Sequence, residues 1–201
     1  VLVGLYLANI FFDYKVPQYL SRKVGHGVGG VGYLLSAFLF SQPWWPLILS
    51  GGFTLLLLGA RFIRAQTFRG VGGSGRTHAL AEVWFPLAST VAIGIGWAWL
   101  DNLWLAVVPI LFMAWGDMLT GIIRSQVYGR EIKGNWGSLG MIATCLLVAY
   151  FFHPYWLGLV GALVATLTER FTPLSRGLVD DNWTIIAMSL ALMAPLWHYY
   201  G

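Results

Sequence analysis

Apolar residues run along this chain in long blocks, not in the alternating pattern of a half-buried strand or the one-sided pattern of a surface helix. The blocks fall at about 1–12, 24–40, 44–60, 84–100, 103–123, 139–152, 155–168 and 183–200. A helix that crosses a bilayer needs about 20 mostly apolar residues, with about 17 as the lower limit. The block at 1–12 falls short of that by itself. Links at 41–43, 101–102 and 153–154 are very short and suit antiparallel helical hairpins. A β-barrel needs period-two alternation, which is missing. The pattern predicts an all-α, polytopic transmembrane bundle of seven to eight spans, forming one integral membrane domain over 1–201.

Composition agrees. Of 201 residues, 58% are apolar and 10% charged, and 11 are Trp. A soluble domain carries about 25% charged residues. So apolar a chain cannot present a polar exterior, and it is too hydrophobic to be disordered. Cys145, the single cysteine, lies inside an apolar block, cannot form an intrachain disulfide and reads as a packing residue. The 12 Lys and Arg exceed the 8 Asp and Glu by +4. In a chain of this kind that excess speaks to membrane topology, and no nucleic-acid partner is expected.

The charges sort by link. Lys15, Arg22 and Lys23 lie between the first and second blocks. Arg61, Arg64, Arg69 and Arg76 lie between the third and fourth. Arg124, Arg130 and Lys133 follow the fifth, and Arg170 and Arg176 follow the seventh. That is every Lys and Arg in the chain. The positive-inside rule makes these links cytoplasmic and both termini extracytoplasmic. Asp13, Glu82, Asp117, Glu131, Glu169, Asp180 and Asp181 fall on the same side, and only Asp101 on the other. Positive-inside does not require this of acids, so the mixed cluster reads as a polar site at the cytoplasmic face. Trp44, Trp45, Trp97, Trp99, Trp104, Tyr155, Trp156, Trp197, Tyr199 and Tyr200 read as aromatic anchors at the outer ends.

Asp117 is the most informative single residue, because a carboxylate inside an apolar block is costly and is a functional hypothesis by default. Glu169 sits similarly near the end of the seventh block. Arg22, Lys23 and His26 form R-K-x-x-H, with Arg22 and His26 on one helical face. Asp180-Asp181-Asn182 exceeds what a helix N-cap requires. Gly25 and Gly29 stand four apart and suit close helix approach. Gly70 to Gly75 matches GxGxxG, but no strand precedes it and no βαβ unit can exist here, so a Rossmann reading is rejected. Without HExxH or paired CxxC, no zinc site is expected. Acids to hold Mg²⁺ and cations to balance phosphate suit phosphoryl transfer. The apolar body suits a lipid substrate.

Five segments resemble the CTP-dependent polyprenol kinase family, which includes dolichol kinases and phytol kinases. They are Arg22-Lys23-Val24-Gly25-His26, Glu82-Val83-Trp84-Phe85-Pro86-Leu87, Gly116-Asp117 with Tyr128-Gly129, Lys133-Gly134-Asn135-Trp136-Gly137-Ser138, and Glu169 with Asp180-Asp181-Asn182. Each is weak alone, and their order is fairly specific. Gly134 and Trp136 depart from the family pattern, which usually has Ser or Thr and often Glu at those places. The resemblance implies a kinase that transfers the γ-phosphoryl group of CTP, with Mg²⁺, to a long-chain lipid alcohol such as phytol or a polyprenol. An integral location in a prokaryotic cytoplasmic membrane is expected. Asp117 would hold Mg²⁺ and be central to catalysis, helped by Asp181 and Glu169. Arg22, Lys23, Arg76, Arg124, Lys133, Gly137, Ser138 and Asn182 would bind nucleotide and phosphate. His26 or Glu82 would orient or deprotonate the acceptor hydroxyl. A cytidylyltransferase making a CDP-lipid, or a kinase of a lipid monophosphate, would use the same inventory. A small transporter is the non-enzyme alternative. It should place charges near the midplane, whereas here they gather at one face.

Overall fold

The structure, a computed structural model, describes residues 18–62, 81–129, 132–172 and 180–200, with Tyr6 and Ile10 as isolated positions. The regular secondary structure of the described residues is all helix, with no strand among them. Seven rods result. They are α1 (Gln18–Leu39), α2 (Trp44–Phe62), α3 (Ala81–Ala92, continued by a π-helical stretch, Ile93–Trp99), α4 (Leu103–Tyr128), α5 (Asn135–Ala149), α6 (Tyr155–Phe171) and α7 (Asp181–Tyr200). Seven of the eight apolar blocks thus coincide with helices. The block at 1–12, apart from Tyr6 and Ile10, lies outside the described residues, as does the glycine-rich loop 70–75.

The rod α4 is the hub, packing against α1, α3, α5 and α7. Its first half is apolar all round, which is what a helix enclosed on every side needs. Leu105 through Ala114 are accordingly all buried. It is also the one helix among the described residues that is long and apolar enough by itself to cross a membrane. The segments Trp44–Ala60, Val83–Trp99 and Asn135–Ala149 are apolar but shorter.

Small residues let the rods close up. Helix α6 turns Gly158, Gly161, Ala162 and Ala165 inward, while Leu159, Leu163 and Leu167 point outward at i, i+4 and i+8. On α1 the close face is Gly27 and Gly30. A Cβ on Gly30 would come within 2.7 Å of the Ala114 methyl, and one on Gly27 would strike Met118. Gly29 faces Phe85 of α3 instead. The expected Gly25–Gly29 contact is therefore shifted by about one position around the helix.

Hydroxyls inside the helices turn back on the chain. Thr54, Ser89, Thr90, Thr144, Thr166 and Thr172 each donate to the carbonyl four residues earlier. A hydroxyl bonded this way needs no water. At the short link before α4, Asp101 adopts φ 50, a left-handed conformation that Asp tolerates. Asn102 then caps the helix, accepting from the Leu105 amide at 2.9 Å. Trp97 departs from expectation. It is buried in the core, whereas Trp44, Trp45, Trp99, Tyr199 and Tyr200 are exposed.

Candidate functional site

In α4 the helix widens to a π turn over Phe112–Gly116 and returns to α-helix at Asp117. The extra residue of such a turn rotates everything after it, and these turns are frequent at functional sites. Here it aims Asp117 inward, where the carboxylate is 1% exposed and pairs with Lys23 of α1. The Trp115 indole donates to the Gly27 carbonyl at 3.1 Å, fixing α1 against α4 beside that pair. The lysine shaft lies across Gly121, where any Cβ would strike it.

Two turns on, Arg124 is equally buried. Its Nη2 stands 2.7 Å from Oε1 of Glu169, near the end of α6. This is a charge contact without hydrogen-bond alignment, since both Glu169 carboxylate oxygens lack a hydrogen-bond donor. The Arg124 guanidinium passes over Gly137, whose Cβ would sit 2.6 Å from Nε. Thr120 donates to the Gly137 carbonyl at 3.2 Å, tying the first turn of α5 to α4. Lys133 donates to the Glu169 carbonyl. Its Nζ lies 3.4 Å from Oε1 of Glu169 and 3.8 Å from Oδ2 of Asp181. A carboxylate oxygen from each of Asp117, Glu169 and Asp181 can be chosen so that all lie within 4.8 Å of one another.

Helix ends build the rest of the site. Arg170 donates to the Lys133 carbonyl and to Asn135 Oδ1, both at 2.9 Å, and so ties the segment before α5 to α6. Asp180 caps α7 by accepting from the Asn182 amide at 2.8 Å. Gly134 precedes α5 in an extended conformation without any side-chain cap. The Tyr128 ring covers it so closely that a Cβ would be 2.5 Å from Cζ. That contact explains glycine at this place.

The arrangement gathers Asp117, Glu169, Asp181, Lys23, Arg124, Lys133 and Gly137, seven of the expected site residues. Ser138 and Asn182 lie on the first turns of α5 and α7, Ser138 with a buried hydroxyl and Asn182 buried. His26 is one turn beyond Lys23 on α1, buried with its ring 5.0 Å from that of Phe85. The backbone of Arg22 lies in α1 and that of Glu82 in the first turn of α3. Their side chains, and all of Arg76, lie outside the described residues. Four contributors were not singled out from sequence. Gly121 carries no signal beyond its place four residues after Asp117. Thr120 and Asn135 are ordinary polar residues there. Arg170 reads as a snorkelling cation until its two carbonyl and amide contacts are seen.

The donor set suits a hard divalent cation. All three candidate ligands are carboxylates, none is sulfur, and Glu169 has both oxygens buried without a donor. Mg²⁺ characteristically takes one or two carboxylates and completes its shell with water and phosphate oxygens. No protein family model, curated protein or solved structure matches this chain.

Proposed function

We propose that the chain is an integral membrane kinase that phosphorylates a long-chain lipid alcohol from a nucleoside triphosphate at the cytoplasmic face. The carrying observation is the cluster itself. Three carboxylates with oxygens within 4.8 Å of one another meet Lys133, Arg124 and the uncapped start of α5. A helix N-terminus and charged side chains together favour phosphate oxygens. The surroundings support a membrane setting, because Lys23, Asp117, Arg124 and Glu169 are buried while many large apolar side chains are exposed. Leu35, Phe38, Leu39, Ile48, Leu55, Leu147 and Leu163 are all more than 40% exposed. The choice of CTP rests on the resemblance.

Bound Mg²⁺ would offset the charge spread over the transferring phosphoryl oxygens. Asp117, Asp181 and Glu169 would hold it, and Lys133 with the amides at the start of α5 would hold the phosphates. The acceptor oxygen forms a bond to the γ-phosphorus as the bond to the β–γ bridging oxygen breaks, and CDP leaves. The hydroxyl proton passes to a base, for which His26 and Glu82 are the proposed groups.

A product assay tests this. Purified protein with Mg²⁺, CTP and phytol or a polyprenol should release CDP and a lipid monophosphate. Pyrophosphate and a CDP-lipid from a lipid phosphate would assign the cytidylyltransferase reaction instead. Neither product with any of these acceptors would remove the enzymatic reading.

A further inference from the structure

We propose that the groove between α1 and α2 seats the part of the acceptor's isoprenoid chain that follows its hydroxyl end, and that Gly32 and Ser36 decide what chain fits. The proposal deepens the kinase reading above and rests on it.

The groove follows from how the helices pair. Although the short link 41–43 joins α1 to α2, these two helices hardly approach each other. Helix α1 packs on α4, and α2 packs on α3. Small residues keep the gap open. Gly32 and Ser36 face it from α1, one turn apart, and Leu49, Ser50 and Phe53 face it from α2. A Cβ on Gly32 would meet nothing within 4 Å, so space is left where a side chain could stand. The space within the groove is about 190 Å³. An apolar cavity of about 150 Å³ holds one benzene. The groove therefore takes about one five-carbon isoprene unit, and the rest of a long chain lies outside it.

Its lining suits a hydrocarbon. The Ser36 hydroxyl donates to the Tyr33 carbonyl at 2.7 Å, and the Ser50 hydroxyl to the Pro86 carbonyl of α3 at 3.0 Å. With that proton engaged, Ser50 accepts from the Tyr33 hydroxyl at 2.6 Å. The hydroxyls of the lining thus all donate within the protein, and an apolar chain laid over them strands none. Leu39 and Leu49 at the edge of the groove are both more than half exposed, so it opens onto the apolar outside and a chain can enter from the side.

Phe85 of α3 joins the groove to the candidate site. Its ring lies 5.0 Å from that of His26 and 5.7 Å from that of Tyr33. Between those two residues on α1, Gly29 lets Phe85 come close, since a Cβ there would be 2.8 Å from Phe85 Cε1. From His26, a proposed base, to Gly32 is six residues of helix, about 9 Å of rise. An acceptor with its hydroxyl by His26 lays its chain past Phe85 into the groove. An alcohol of a single isoprene unit is too short to span that distance.

Two measurements on the purified full chain in detergent test the proposal. The first compares acceptors. Gly32→Leu puts a side chain into the groove. Gly52→Leu makes the same change at an exposed place on α2 where a Cβ also meets nothing. With geranylgeraniol, Gly32→Leu should raise the apparent KM roughly tenfold or more, the scale of overfilling a packed site. With dimethylallyl alcohol, and in apparent CTP affinity, it should match wild type, as Gly52→Leu should throughout. Equal effects of Gly32→Leu on both acceptors, or none on either, overturn the proposal and leave the kinase reading standing. Ser36→Leu fills the groove from one turn further on and repeats the comparison should Gly32→Leu fold poorly. The second measurement is independent of turnover. A geranylgeraniol analogue with a photoactivatable diazirine on its second isoprene unit should label α1 and α2 at residues that line the groove. Excess geranylgeraniol should compete for that labelling, phosphatidylcholine should not, and Gly32→Leu should lose it. Label on other helices, or displacement by phosphatidylcholine as readily as by the prenol, overturns the proposal. If no acceptor is phosphorylated, the kinase reading fails, and the labelling still decides whether the groove holds an isoprenoid chain.

Discussion

At the residue scale, the buried charges serve the fold and the chemistry together, and the two roles can be separated. Asp117→Asn removes the carboxylate that Lys23 pairs with, and breaking a buried pair costs about 3–5 kcal/mol. Replacing both partners together, Lys23→Met with Asp117→Leu, should recover most of that stability, because a well-packed apolar pair is often as stable as a buried ion pair. Turnover should fall at least about a hundredfold in both proteins, since metal charge stabilisation is worth several kcal/mol. Thermal unfolding in detergent alongside the product assay checks it. A stable double variant with near-normal turnover would remove Asp117 from the site. Lys133→Ala is expected to behave differently. Lys133 is more exposed than Lys23, at 12% of its side chain, and Glu169 keeps Arg124 when it is removed, so the loss of stability should be smaller than for Asp117→Asn. Apparent nucleotide affinity should weaken by roughly ten- to a hundredfold, the loss of one charge-assisted contact of about 1.5–3 kcal/mol. Titration of CTP at saturating lipid alcohol reads this directly. Asp117 and Glu169 were legible because a carboxylate in an apolar block has no ordinary reason to be there. The pairing was not. Lys23 and Arg124 fit the positive-inside pattern equally well as interfacial anchors, and only the fold shows them turned inward and buried.

At the element scale, the sequence located helices better than their ends. The block expected at 139–152 is a helix over Asn135–Ala149. The reason is that Asn135, Gly137 and Ser138 look like loop residues, whereas here they form a polar first turn facing the cluster. Likewise α1 begins at Gln18, so Arg22 and Lys23 lie within it and do not precede it. The π turn over Phe112–Gly116 leaves no sequence signature, although Pro109 just before it is a disturbance to which a helix often responds with altered winding. The α4–α5 contact makes a sharp test of how tightly the cluster is built. A Cβ on Gly137 would lie 2.6 Å from Arg124 Nε and 3.2 Å from Thr120 Cγ2. Gly137→Ala should therefore push Arg124 off Glu169 and cost about 1–3 kcal/mol by overpacking. Gly140→Ala, further along α5, meets only the flexible end of Ile123 and the Leu119 side chain. It should be milder in the same unfolding measurement, and equal losses from both would mean that Arg124 is not held by the Gly137 notch.

At the scale of the whole molecule, the described residues bury several charged and polar side chains within an apolar core and leave many large apolar side chains exposed. Lys23, Asp117, Arg124, Glu169 and Asn182 are buried, while α6 offers Leu159, Leu163 and Leu167 outward and α2 offers Ile48, Leu49, Leu55 and Leu56. Exposed apolar area on that scale marks a surface meant for something other than water. The helices share one further regularity. The contacts around Asp117 and Glu169 bring together the starts of α1, α5 and α7 with the second half of α4 and the end of α6, so these charged side chains gather toward one end of those rods. The short links 41–43, 101–102 and 153–154 join the other ends, with exposed Trp44, Trp45, Trp99 and Tyr155 near them. If that bundle crosses a bilayer, Lys and Arg counts place the charged end in the cytoplasm. Single-cysteine labelling decides the matter in a Cys145→Ala background, a change at a buried site that removes the native thiol. Ser41→Cys and Trp136→Cys both replace exposed residues, one at each end. In intact cells a membrane-impermeant thiol reagent should modify Ser41→Cys and spare Trp136→Cys until the membrane is permeabilised. Modification of Trp136→Cys alone would invert the topology and put the phosphate-binding face away from cytoplasmic nucleotide. Equal modification of both only after permeabilisation would mean that the rods do not span the membrane.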